Sequence, residues 1–195
     1  MPRRTADEAA QTRSDLVAEG IRYFAERSYA SAPLEELVAR LGVTRGALYH
    51  HFGSKRGYFE AVLEQVLEQL GERIVAQAEQ AGDGAAGLRA GCAAFLEAAT
   101  DPTFRQIVLL DAPAVLGWQA WKQADERTTT QTLREGLDEL KQAGELLSDD
   151  VEALAAALSG AMNELALWVA AQPDPRDALP RARAVIEGML EPWLA

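Results

Sequence analysis

From Thr44 to Lys55 the chain reads Thr-Arg-Gly-Ala-Leu-Tyr-His-His-Phe-Gly-Ser-Lys, a stretch dense in hydrogen-bond donors and free of carboxylates. Arg45, Tyr49 and His50 carry donors that suit base edges in a major groove, and Gly46 leaves clearance for a close approach. Thr44 has the chemistry of a helix cap, which would leave backbone N–H groups free to face a phosphate. No carboxylate falls between Leu37 and Gly57, whereas Arg40, Arg45, Lys55 and Arg56 do. Residues 1–57 hold 9 Lys/Arg against 7 Asp/Glu, a net of +2, although the whole chain carries −11. The remaining residues therefore carry −13. A basic end on an acidic body can hold DNA there and repel it elsewhere.

Positioning such residues requires two short helices and a tight turn. The pattern predicts helices over Pro33–Leu41 and Arg45–His51, with Gly42 between them taking the positive φ of a sharp reversal. Leu34, Leu37, Val38, Leu41, Val43 and Leu48 supply the apolar faces that set the angle. A solvated helical hairpin is the plainer alternative. It does not account for Gly46 among three large polar or aromatic side chains. A first helix over Asp7–Arg27 buries Leu16, Val17, Ile21, Phe24 and Ala25. A fourth, capped by Ser54, runs to Ala81 with Val62, Val66, Leu70 and Ile74 recurring every four residues. Arg3 and Arg4 form either a DNA-reaching arm or a solvated start. Further helices are expected over Ala85–Ala99, Pro102–Asp111, Ala114–Ala143, Asp149–Ala171 and Ala178–Leu194, with Ser148 or Asp149 capping the penultimate one.

Several function classes recede on composition. At 48% apolar and 25% charged residues the chain reads as an ordinary globular protein. No uninterrupted apolar run of membrane length is found, and the N-terminus lacks a signal-like segment, so a cytoplasmic location without membrane association is expected. The single cysteine, Cys92, lies in an apolar run and reads as a buried hydrophobe. Adjacent His50 and His51 point about 100° apart on a helix and cannot easily share a metal ion. No metal, cofactor or catalytic residue is expected.

From Leu16 to Val62 the chain resembles the DNA-binding domain of the TetR (tetracycline repressor) family. The likeness rests on Leu41-Gly42-Val43-Thr44-Arg45-Gly46-Ala47-Leu48-Tyr49-His50-His51-Phe52-Gly53-Ser54-Lys55, with Phe59 beyond. The resemblance implies Arg45, Gly46 and Tyr49 as base-proximal positions with His50 beside them. It implies Thr44, Tyr49, His51 and Lys55 as phosphate contacts, and Phe52 as a brace against the fourth helix. Two positions depart from the pattern. Ala32-Pro33 stands where a hydroxyl residue is common, and Gly57 occupies the first turn of the fourth helix, where it is expected to loosen that helix. The implied fold is all-α: a helix-turn-helix domain over residues 1–53 and a helical-bundle ligand-binding and dimerisation domain over 54–195.

The implied function is a transcriptional regulator, a repressor released from a pseudo-palindromic operator by a small-molecule inducer. A helical adaptor without DNA binding, or an enzyme on a helical bundle, are the rival readings. Phe95, Phe104, Arg105, Asp111, Trp118 and Trp121 are the candidate pocket residues, mixing aromatic faces with sparse polar groups. Plain helical core explains any one of them as well, and Arg105 and Asp111 can equally pair with each other. Val151, Leu154, Leu158, Met162 and Leu165, with Val185 and Met189, make two stripes suited to a homodimer interface.

Overall fold

The structure, a computed structural model, describes residues 6–195, with side chains from Glu8 onward. Arg3 and Arg4 lie outside the described residues. The described residues are helical almost throughout, and one isolated antiparallel bridge joins Leu146 to Leu194.

Helix α1 (Ala6–Glu26) leads through a 3-10 turn (Tyr29–Ser31) into α2 (Leu34–Arg40), α3 (Arg45–Phe52) and the long α4 (Lys55–Ala81). Local chemistry sets these limits. Gly42 takes φ +64° at the turn between α2 and α3, and the Thr44 hydroxyl accepts from Ala47 N (3.1 Å) to start α3. Ser54 accepts from Gly57 N (2.9 Å) to start α4, which ends at Gly82 with φ +101°. Tyr23, Phe24, Tyr58 and Phe59 are fully buried where α1 meets the first turns of α4. The Phe24 and Phe59 rings meet edge to face at 5.2 Å. The three-helix head thus shares its core with α4.

The body continues with α5 (Ala85–Ala98), then a single helical path made of α6 (Pro102–Phe104), a π-helical stretch (Arg105–Asp111) and α7 (Ala112–Leu116). Pro113 in the first turn of α7 lacks an N–H, and its ring crowds the carbonyl four residues back. The wide turns just before it relieve that crowding. Next come α8 (Trp118–Glu126), α9 (Thr129–Ala143), α10 (Val151–Ala170) and α11 (Pro175–Leu190). Asp101 and Asp174 cap the proline-led α6 and α11 through Thr103 N and Arg176 N.

Three expectations change. The single helix predicted over Ala114–Ala143 breaks twice, at Gly117 (φ +83°) and at Arg127–Thr128, where Asp125 draws the hydroxyls of Thr129 and Thr130 toward its own carboxylate. The cap of α10 is Asp150, accepting from Ala153 N (2.9 Å), rather than Ser148 or Asp149. And α10 is, by length and average composition, apolar enough to cross a membrane. Asn163 and Glu164 interrupt its strict apolar run but do not outweigh its alanines and leucines. In the fold α10 packs against α5, α9 and α11, and its buried Ser159 and Asn163 bond to Asp125.

Candidate nucleic-acid interface and ligand groove

Along α3, Leu48 is fully buried while Arg45, Gly46 and His50 stand exposed and Tyr49 is half-buried. The apolar side of this short helix is thereby held inward and its donor-rich side faces solvent. Arg45 lies 5.2 Å over the Tyr49 ring and donates to its hydroxyl (3.2 Å). A loose ion pair to Glu35 (3.7 Å) joins two well-exposed side chains and holds Arg45 weakly. No ring or carbonyl obstructs Gly46, where an added Cβ would find only Thr44 Oγ1, at 3.9 Å. The half-buried Phe52 packs on Tyr58 (4.8 Å between rings), so it does brace the head against α4. His51 is half-buried between His50 and Phe52.

Not all of the basic window is free. Arg40 is clasped by Glu19 and by Glu26 (2.7 Å), which keeps its guanidinium charged and occupied. Burial pushes the Glu19 carboxyl up, but the hydrogen bonds from Arg22 and Arg40 outweigh it and hold the group below its ordinary value. Glu26 is likewise lowered, by its bond to Arg40. Arg56 pairs with Glu60 (3.1 Å). Lys55, expected on a phosphate, donates instead to the carbonyls of Tyr29 (2.7 Å) and Ala32 (2.6 Å) and sits 4.2 Å over the Tyr29 ring. Desolvation lowers its pKa, partly offset by the Asp111 charge. At most one of its three N–H groups is left for a ligand.

That lysine belongs to a joint. The buried Asp111, last residue of the π-helical stretch, accepts from Tyr29 N (2.7 Å). Tyr29 is therefore gripped by Lys55 of α4 through its carbonyl and by Asp111 through its amide. Arg56 adds a long bond to Leu116 O (3.4 Å). On the far side of the turn, Tyr23 donates to Pro33 O (3.1 Å), so Pro33 anchors α2 as its N-cap without a hydroxyl.

A groove in the body lies between the second half of α4, α5 and α9, with a cavity of about 490 Å³. That is enough for a drug-sized molecule. Its floor is formed by Ile74, Leu88, Cys92, Phe95, Leu133 and Met162, and Glu79, Asp83, Glu135, Glu139 and Glu145 stand around it. Burial pushes the Cys92 thiol up to about 12, which keeps it neutral and unreactive.

Of the six expected pocket residues only Phe95 lines this groove. Phe104 is buried behind it, edge to face at 6.4 Å. Arg105 is half-buried at the start of the π-helical stretch, and Asp111 is spent on Tyr29. Trp121 is 2% exposed in the core with Nε1 unpartnered among the described residues, and Trp118 is 65% exposed on the surface beside it. Helix α9, separated from α8 by the break at Arg127–Thr128, packs on both α4 and α5 and supplies the groove's other wall. The acidic spacings Glu79/Asp83 and Glu135/Glu139, each four residues apart, were the available signal.

The expected dimer stripe also divides. Leu154, Leu158 and Met162 lie in the subunit's own core, Leu158 at 1% exposed, and Val151 and Leu165 are half-buried. Val185 (50% exposed), Met189 and Trp193 remain open on one side of the C-terminal segment, and small Ala153, Ala156, Ala157 and Gly160 on α10. The most apolar face of α10 is used within the chain.

Residues 16–62 match the family model "Bacterial regulatory proteins, tetR family", and residues 85–193 match "Tetracyclin repressor-like, C-terminal domain". The HTH-type transcriptional regulator AcrR of Shigella flexneri is 32% identical over 110 residues, covering 56% of this chain. The chain spans about half of that relative's length, 51%. A TetR-family transcriptional regulator from Pectobacterium atrosepticum is 36% identical, with 98% of each chain covered and a TM-score of 0.85. RolR in complex with resorcinol shares the fold at 16% identity, with a TM-score of 0.74 over 95% of this chain and 90% of that one.

Proposed function

The chain belongs to the TetR family of bacterial regulatory proteins, and on that premise we propose that it is a homodimeric repressor of an operator, released by a small molecule. The observation that carries the reading is α3, a capped, two-turn helix whose exposed side offers Arg45, Gly46, Tyr49 and His50 and no acid. Arg45 suits the O6 and N7 acceptors of guanine, and its stacking on Tyr49 limits the freedom it must lose on binding. Thr44, Tyr49 and His51 flank that face and serve phosphates. Lys55 acts first as a brace and only secondarily as a phosphate donor.

A second copy joined through α10 and α11 supplies the second reading helix. The exposed Val185, Met189 and Trp193, beside the small residues of α10, suit close packing of four helices around a two-fold axis. A pseudo-palindromic operator follows, with half-sites in register with the two α3 helices. RolR was solved with resorcinol; here the candidate ligand site is the groove between α4, α5 and α9. Helix α4 lines that groove with Ile74 and Ala78 and braces the head with Lys55, Tyr58 and Phe59. A ligand that fits the groove better in the released arrangement than in the DNA-bound one shifts the dimer off its operator. On this reading the protein works in the cytoplasm as a regulator rather than an enzyme.

Selection of genomic fragments retained by the full-length protein, followed by footprinting, tests the proposal. The expected result is a protected pseudo-palindrome whose affinity falls steeply with salt. Retention of no fragment above random DNA would refute it.

A further inference from the structure

Five carboxylates line the groove, those of Glu79, Asp83, Glu135, Glu139 and Glu145, and its lining contains no lysine, arginine or histidine. Glu79, Asp83, Glu139 and Glu145 have no hydrogen-bond or ion-pair partner for their carboxylates among the described residues, and Glu135 accepts only from the neutral amide of Gln131. Nearby bases are committed elsewhere: Lys141 to Ser148 O and Asp149, Arg134 to Glu152 and Gln131, Arg89 to Glu191. The acids come from three directions. Glu79 lies in the last turn of α4, Asp83 stands in the loop after it, and Glu135 and Glu139 lie one turn apart on α9. Glu145 lies in the space that a side chain on Gly84 would fill, which places its carboxylate beside the loop that opens α5. Beneath them the floor is apolar and closed by buried side chains, including Phe95, Leu133 and Met162.

An uncompensated acidic mouth over an apolar floor sorts ligands by charge. The body, residues 58–195, carries −13, of which the five rim acids supply −5, so the remaining −8 adds its field to that of the rim. An anion would meet repulsion at entry and find no donor cation within. A small polar cation would gain from the rim but leave the floor unfilled. The arrangement rewards a positive charge attached to a bulky apolar body.

We infer that the groove takes a hydrophobic organic cation, whose apolar part fills the floor and whose charge rests among Glu79, Glu135 and Glu139. This rests on the reading of the groove as the ligand site.

Tetraphenylphosphonium and tetraphenylborate, nearly identical in shape and opposite in charge, separate the two statements. In equilibrium dialysis with the full-length protein, the phosphonium is expected to saturate at one per chain. The borate should bind at least tenfold more weakly. The exposed substitutions Glu79→Gln, Glu135→Gln and Glu139→Gln together should weaken the phosphonium at least tenfold with an unchanged melting temperature. Gly136→Trp serves as the occlusion control: a Cβ there meets Leu88 at an ordinary 3.6 Å, and the indole would extend into the groove. It should abolish binding. Equal affinity for both ions, lost in Gly136→Trp, would overturn the cation inference and leave the groove as a ligand site. Binding of neither ion, or binding indifferent to Gly136→Trp, would overturn both.

Discussion

At the scale of single residues, two side chains matter through contacts that composition does not reveal. Gly57 reads as a weak point in a helix, yet a Cβ there would stand 2.2 Å from the Phe52 carbonyl oxygen. The glycine is what lets α3 turn back onto α4. Gly57→Ala is therefore expected to lower stability by about 1–3 kcal/mol, read as a fall in melting temperature, despite alanine's better helix propensity. The family resemblance implies Lys55 as a phosphate contact, and the carbonyls that take its N–H groups are not visible in the sequence. Arg40 is similar, and it gives a pH signature. Glu19 and Glu26 are both held below 4.5. Their contribution to stability is thus complete above pH 4.5 and lost as the pH falls through the lowered values. Thermal melts between pH 6 and 3 should show a steeper acid loss in the wild type than in Arg40→Ala.

At the scale of elements, α1 to α5 were legible because their ends carry chemistry: Gly42, Thr44, Ser54 and Gly82 each do locally what their residue type suggests. The α8–α9 break and the π-helical stretch were not. The first depends on one buried carboxylate, Asp125, gathering Lys122, Thr130 and Asn163 from different helices. The second places Asp111 beneath Tyr29 rather than in the groove. That joint links the body to the head, so its loss should uncouple them. Asp111→Ala leaves Tyr29 N without its acceptor and should cost about 1–3 kcal/mol. It should also shrink the drop in DNA affinity that a groove ligand causes, measured by titrating operator binding with and without ligand. Asp111→Asn, which keeps an acceptor oxygen, should retain most of the coupling. Equal coupling in wild type and Asp111→Ala would remove the joint from the account.

For the whole molecule, the separation of a basic head from an acidic body was readable from charge alone, since it needs only counting along the chain. Which apolar stripe faces a partner was not. An alanine- and leucine-rich helix such as α10 has two faces fit for packing, and only the folded chain shows which one it consumes. The exposed face on α11 gives a direct test of assembly: Val185→Asp with Met189→Asp should convert dimers to folded monomers in sedimentation and reduce operator affinity at least tenfold. The central claim, that α3 reads DNA, is tested most directly by Tyr49→Ala in a binding titration on the operator defined by footprinting. Tyr49 contributes its ring and hydroxyl to the reading face and is only partly buried against the core. The account predicts at least a tenfold loss of operator affinity (about 1.4 kcal/mol or more), with helicity and dimer mass unchanged. Wild-type affinity in that variant would contradict it.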